Sequence, residues 1–174
     1  METVKVKIEG IAPLLMNRFA VVAPDDEKAK RRDEGFSVEK DAEKAVYRDA
    51  RIGCYAPSTW IEASLREAAK EFKGKGRASQ KMTILSSVFI DPEKIPLKKK
   101  TYDEIDVRPV VIQRNRIVKG RPKFNKWDLS FTVSFDEKRI KKDTLKQILE
   151  EAGATKGIGD YRPKFGRFKV VKFG

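Results

Sequence analysis

Histidine is absent from this 174-residue chain, and cysteine occurs once, at Cys54. The first absence removes imidazole general bases, Ser–His and Cys–His pairs, and most zinc sites. Only carboxylates remain to hold a metal, which restricts any ion to magnesium or manganese. The lone thiol cannot close an internal disulfide, which fits a reducing compartment, so the cytoplasm is expected. No run of about 20 apolar residues exists to span a bilayer. The opening METVKVKIEG is not a basic patch followed by an apolar block, so no secretory leader is expected. A further absence is local. From Val107 to Lys126 there is no acid at all, although the chain as a whole carries 26.

What that stretch does contain is positive charge: Arg108, Arg114, Arg116, Lys119, Arg121, Lys123 and Lys126. Over the whole chain Lys and Arg number 39, for a formal net charge of +13. A balance of this kind favours polyanionic partners, nucleic acid first among them. Lysines and arginines also protect exposed sheet edges, but that needs only a few charges and tolerates acids nearby. Cations that repel one another in the free protein are relieved by a phosphate backbone, which releases its counterions on binding. Residues 107–126 are therefore read as a basic hairpin that holds phosphates. Arg114, Arg116, Lys119 and Arg121 lie nearest its expected tip. Phe124 and Trp127 sit among these charges, an interleaving suited to base stacking on single strands. Trp127 also opens an alternating strand, which favours packing for it.

Periodicity supplies the frame. Thr3 to Glu9 alternates polar and apolar, a half-buried strand. Residues 20–50 have mixed charge and form an exposed insertion, helical around Val38 to Tyr47. Pro57 precedes a helix in which Thr59 and Glu62 have capping-box spacing and Ile61, Leu65, Ala68, Ala69 and Phe72 share one face. On its other face Glu62 is spaced to pair with Arg66. Ile84-Leu85 to Ile90 reads as a buried strand stopped by Asp91-Pro92. Trp127, Leu129, Phe131, Val133 and Phe135 alternate as a strand. A second helix opens at Asp143-Thr144 and ends at Gly153. A strand closes the chain. The order βαββαβ predicts an α+β domain spanning 1–174, ferredoxin-like or RNA-recognition-motif-like, with two helices on one sheet face.

Two stretches carry a family likeness. Ala56-Pro57-Ser58-Thr59-Trp60-Ile61-Glu62-Ala63-Ser64-Leu65-Arg66 leads from a proline and small residues into a helix bearing an arginine. Gly157-Ile158-Gly159-Asp160-Tyr161-Arg162, followed by Gly166-Arg167-Phe168, is a glycine-rich loop before the last strand. Together they resemble the RAMP superfamily of CRISPR-associated proteins, especially subunits that coat guide RNA. Ser58 and Ala63 stand where that family often has glycine, and Glu62 where it often has lysine. The resemblance implies binding of single-stranded RNA, assembly with copies of itself along the strand, and contact with other CRISPR effector subunits. It raises Arg66 as a ligand contact. Virus- or plasmid-borne binders of single-stranded DNA have the same look.

In the glycine loop, backbone freedom at Gly157 and Gly159 permits close approach to a phosphate, with Lys156, Arg162, Lys164 and Arg167 around it. Tyr161 and Phe165 stand between stacking and packing roles, while Trp60 is read as packing. Asp25-Asp26-Glu27 and Asp103-Glu104-Asp106 are the two acidic clusters that magnesium chemistry would use. Both are expected to be solvated charge. No catalytic residue, metal or cofactor is assigned, and the expected function is binding, with a ribonuclease as the alternative.

Overall fold

The computed structural model describes residues 1–19, 37–74, 76, 78–112 and 114–174. Residues 20–36 of the expected insertion, with the acidic cluster 25–27, lie outside the described residues. Strands β1 (Glu2–Gly10), β5 (Val88–Asp91), β9 (Asp128–Phe135) and β10 (Phe168–Phe173) make an antiparallel sheet in the order β10-β1-β9-β5. Strand β1 runs through the centre, with Val4 opposite Val133 and Ile8 opposite Leu129. Their alternation puts Val4, Val6, Ile8, Leu129, Phe131 and Val133 inside and Thr3, Lys5 and Ser130 outside. The sequence is thus locally consistent with one buried and one open face.

Helices α2 (Ser58–Ala68) and α4 (Lys142–Glu151) pack on each other and against this sheet. Ile61, Leu65, Ala68, Leu145, Ile148 and Leu149 fill the shared core. The start of α2 differs from the capping-box expectation. Pro57 takes the cap position, and no side chain caps the helix. The first free amide, Ser58 N–H, instead donates to the Glu93 carbonyl at 2.8 Å. Glu62 and Arg66 make no direct ion pair, and burial pushes the Glu62 carboxyl up from its ordinary value.

Two further boundaries move. Lys81–Ser87 is a helix, α3, and only Val88–Asp91 is strand. A short apolar run does not distinguish the two by pattern. Here the Ser86 and Ser87 hydroxyls bond back to the Met82 and Thr83 carbonyls at 2.9 and 2.7 Å, which fits a final helical turn. At the other end, α4 does not stop at Gly153. It runs on through a π-type turn, Ala152–Lys156, with Gly153 buried inside, and terminates at Gly157.

A second sheet, β2 (Leu14–Leu15), β8 (Asn115–Phe124) and β7 (Glu104–Ile112), carries the basic hairpin. Helix α1 (Val38–Ala45), capped by the Ser37 hydroxyl, packs on β8. This part of the insertion is not simply exposed, since Ala42, Ala45 and Val46 are buried. A third, small sheet joins β3 (Arg48–Asp49), β4 (Gly53–Pro57) and β6 (Lys94–Pro96). No helix among the described residues is long and apolar enough to cross a membrane.

Candidate functional site

Strands β7 and β8 pair antiparallel from Glu104 opposite Lys123 to Ile112 opposite Asn115. The turn includes Arg114 at φ 68, in the left-handed region. Strand β7 runs nine residues from Glu104 at the base to Ile112 before the turn, so the turn stands roughly 25 Å from the hairpin's base. Opposite partners share a face. Arg108 with Lys119, and Asp106 with Arg121, therefore lie on one side, while Val111 and Arg116 lie on the other.

The acid-free window is not free of counter-charge in space. Arg108 is held by Asp106 through two bonds, 2.7 and 3.1 Å. Lys123 meets Glu104 across the strands at 2.9 Å, and Arg121 meets Asp160 at 2.5 Å. Two of these acids sit just before the window, and the third is brought by the glycine loop from far along the chain. Three of the seven cations are thereby neutralised, which corrects the reading of an unpaired stretch. Arg121 is also 6% exposed, with Nη1 lacking any hydrogen-bond partner. It is a buried support, not a tip residue open to phosphate.

Phe124 is likewise corrected. Its side chain is 0% exposed and packs in the core, where β8 pairs with Leu14. No base reaches it without unfolding that sheet. Trp127 is buried, with its indole N–H donating to the Ala12 carbonyl at 2.8 Å. Trp60 packs edge-on to Tyr47 at 5.2 Å between centroids. Arg114, Arg116, Lys119 and Lys126 remain, and among the described residues none has an ion-pair partner. Arg114, Arg116 and Lys126 are exposed, and Lys119 is half-buried.

The acids of 103–106 are engaged rather than assembled. Burial raises the Asp103 carboxyl, but its Lys99 ion pair and the Asn125 N–H outweigh this and hold it below the ordinary range. Lys123 and then Asn125 hold Glu104 below it as well. Among the described residues no group of three His, Cys, Asp or Glu side chains converges as a metal site would require.

The glycine loop lies against the base of the hairpin. Asp160 N–H donates to the Leu15 carbonyl at 2.9 Å, and Gly166 N–H to the Pro13 carbonyl at 2.8 Å. Gly159 and Gly166 have φ of 77 and 74. A Cβ on Gly159 would stand 2.5 Å from the Leu15 carbonyl oxygen, and one on Gly166 would overlap that of Ile158. Gly157 is buried. The close approach that these glycines permit is therefore to the protein's own backbone, which corrects the phosphate-cradle expectation for Gly157 and Gly159. Their effect is to fix the loop so that its side chains have definite places.

Those side chains divide. Lys156 is paired with Glu71. Arg162 and Lys164 are exposed and Arg167 is half-buried, all without ion-pair partners among the described residues. Arg108 lies 5.0 Å from the Tyr161 ring centroid and 5.1 Å from that of Phe165, and Arg121 lies 5.9 Å from Tyr161. This joins hairpin base and loop into one basic surface. Arg66 is elsewhere: it lines a small recess with Glu62, Leu65, Ile84, Leu85 and Val88. Asp160 and Glu71 were not legible as site residues, because only tertiary contact gives them their cationic partners.

No family model matches this sequence, and no curated protein matches it. A solved structure does match in three dimensions. It is a chain from "Cryo-EM structure of the Type III-B Cmr-beta bound to cognate target RNA", with a TM-score of 0.52 and 14% sequence identity. The likeness is one of fold. It covers 99% of this chain but 59% of that one, so this chain spans little more than half the length of its structural neighbour.

Proposed function

We propose that this protein binds single-stranded RNA without cutting it, as a RAMP-type subunit of a CRISPR-associated assembly. Its four-stranded sheet is read as a ferredoxin-like unit, a reading supported by the order β10-β1-β9-β5 with α2 and α4 packed against it. One observation carries the functional reading. Arg114, Arg116 and Lys119 on the hairpin, and Lys126 in the bend that follows it, have no ion-pair partner among the described residues, and the hairpin is tied to a loop carrying Arg162, Lys164 and Arg167. Cations on an extended hairpin without partners among the described residues suit a phosphate backbone better than an edge that needs only solubility. RNA is preferred to single-stranded DNA because the structural neighbour comes from an assembly bound to cognate target RNA. Several copies sharing one strand, and partner subunits beside them, belong to the same proposal.

The test is incubation of a labelled single-stranded RNA of about 25 nucleotides at low salt, with and without EDTA. Expected is a saturable complex from which the RNA is recovered whole in both conditions. Absence of a complex overturns the proposal. Cleavage that disappears in one site variant replaces it with the ribonuclease.

A further inference from the structure

A shallow cavity of about 540 Å³, largely open to solvent, lies between the C-terminal end of α2 and the glycine loop. Sites for small ligands range over about 300–1,000 Å³, so this one is wide enough for a nucleobase with its sugar. Its walls include Tyr161 and Arg162 on the loop side and Glu67, Glu71 and Lys156 on the other. We infer that this cavity is a nucleobase subsite, with the Tyr161 ring as its stacking surface. The inference rests on the RNA-binding reading and adds to it a place where one base is held.

Tyr161 is built as a platform. Its backbone is in the left-handed region, φ 59, where a non-glycine residue costs roughly 1 kcal/mol or more and persists only if its surroundings hold it. Those surroundings are specific. The Arg108 and Arg121 guanidiniums lie at 5.0 and 5.9 Å, and Phe165 meets the ring edge-on at 6.0 Å. Arg121 is itself fixed by Asp160, the residue before the tyrosine. Despite all this support, Tyr161 remains 46% exposed and lines the cavity. A ring positioned by two arginines and still about half exposed is suited to receiving another flat ring on its open part.

The opposite wall decides what kind of ring. Glu71 is paired with Lys156, and Glu67 with Lys70, so carboxylate acceptors alternate with ammonium donors. A site meant for phosphate alone would not be lined by two glutamates and Asp160, whose charge repels it. A nucleobase uses both kinds of group on its edges. Guanine fits best, because its O6 and N7 accept from a lysine while its N2 amino group donates to a carboxylate. Arg162, exposed and without an ion-pair partner among the described residues, is placed for the flanking phosphate.

The probe is a 12-nucleotide oligouridylate RNA carrying one central 2-aminopurine, whose fluorescence falls when it stacks. With the intact protein, saturation should quench the emission, and Tyr161→Phe should quench it equally. Tyr161→Leu keeps the same backbone demand but has no aromatic face. It should leave the emission high and weaken binding about 5- to 150-fold, the range for losing one base–aromatic stack, with the salt dependence unchanged. Circular dichroism checks that the variant is folded. A second arm needs no variant: the intact protein should bind an oligouridylate bearing one guanine more tightly than the all-uridine strand. Equal affinity for the two strands, or quenching that survives Tyr161→Leu, overturns the base subsite while RNA binding stands. Failure of every strand to bind at low salt overturns both.

Discussion

Replacing Arg114, Arg116, Lys119 and Lys126 together by alanine should weaken RNA binding about 600-fold at 0.1 M salt. Each phosphate neutralised on a single strand contributes about 0.7 to the slope of log K against log salt, so four lost contacts flatten it by about 2.8. That term vanishes near 1 M, and a tenfold dilution from there converts 2.8 into a factor of about 600. Three of these side chains are exposed and none is ion-paired among the described residues, so stability should change by no more than about 0.5 kcal/mol per site. Competition or anisotropy titrations at several salt concentrations measure both quantities. Affinity unchanged within threefold would remove the hairpin from the binding surface. The variant differs in kind from one at Arg121, where removing a buried cation strands Asp160 and disturbs the fold.

The second large effect is on stability. Gly166→Ala should cost about 3–4 kcal/mol, seen as a lower urea midpoint. The left-handed backbone accounts for about 1–2 kcal/mol of this. The remainder comes from the added methyl group, which overlaps the Ile158 carbonyl and forces apart two backbone hydrogen bonds, Ile158 N–H to Gly166 O and Gly166 N–H to Pro13 O. Each is worth about 1 kcal/mol. Against a total stability of about 5–15 kcal/mol this is a severe loss. A change below 1 kcal/mol would mean that the loop is not stitched to residues 13–15 as described.

The sequence made the buried sides of β1 and β9 legible because strict alternation is a local signal, and the apolar face of α2 because helical spacing is another. Helix α1, Val38–Ala45, lies within the stretch from Val38 to Tyr47 where a helix was expected. Local signals failed where geometry depends on distant groups. Thr59 and Glu62 have capping spacing, but Glu93 satisfies the helix start from the bend between β5 and β6. Phe124 lies among lysines in the text, yet its position in β8 turns it inward against Leu14 and the core. The charge window looked unopposed because its acids are Glu104 and Asp106 just outside it and Asp160 on another loop. The cavity at Tyr161 was invisible for that reason too, since Glu71 and Tyr161 are neighbours only after folding.

The polyphosphate grip is tested most directly by the salt dependence of single-stranded RNA binding to the intact protein. With Arg114, Arg116, Lys119 and Lys126 and up to three cations from the loop engaged, log K should fall against log salt with a slope of about −3 to −5. A slope near zero, or no binding at the lowest ionic strength, would contradict a surface built to hold a phosphate backbone.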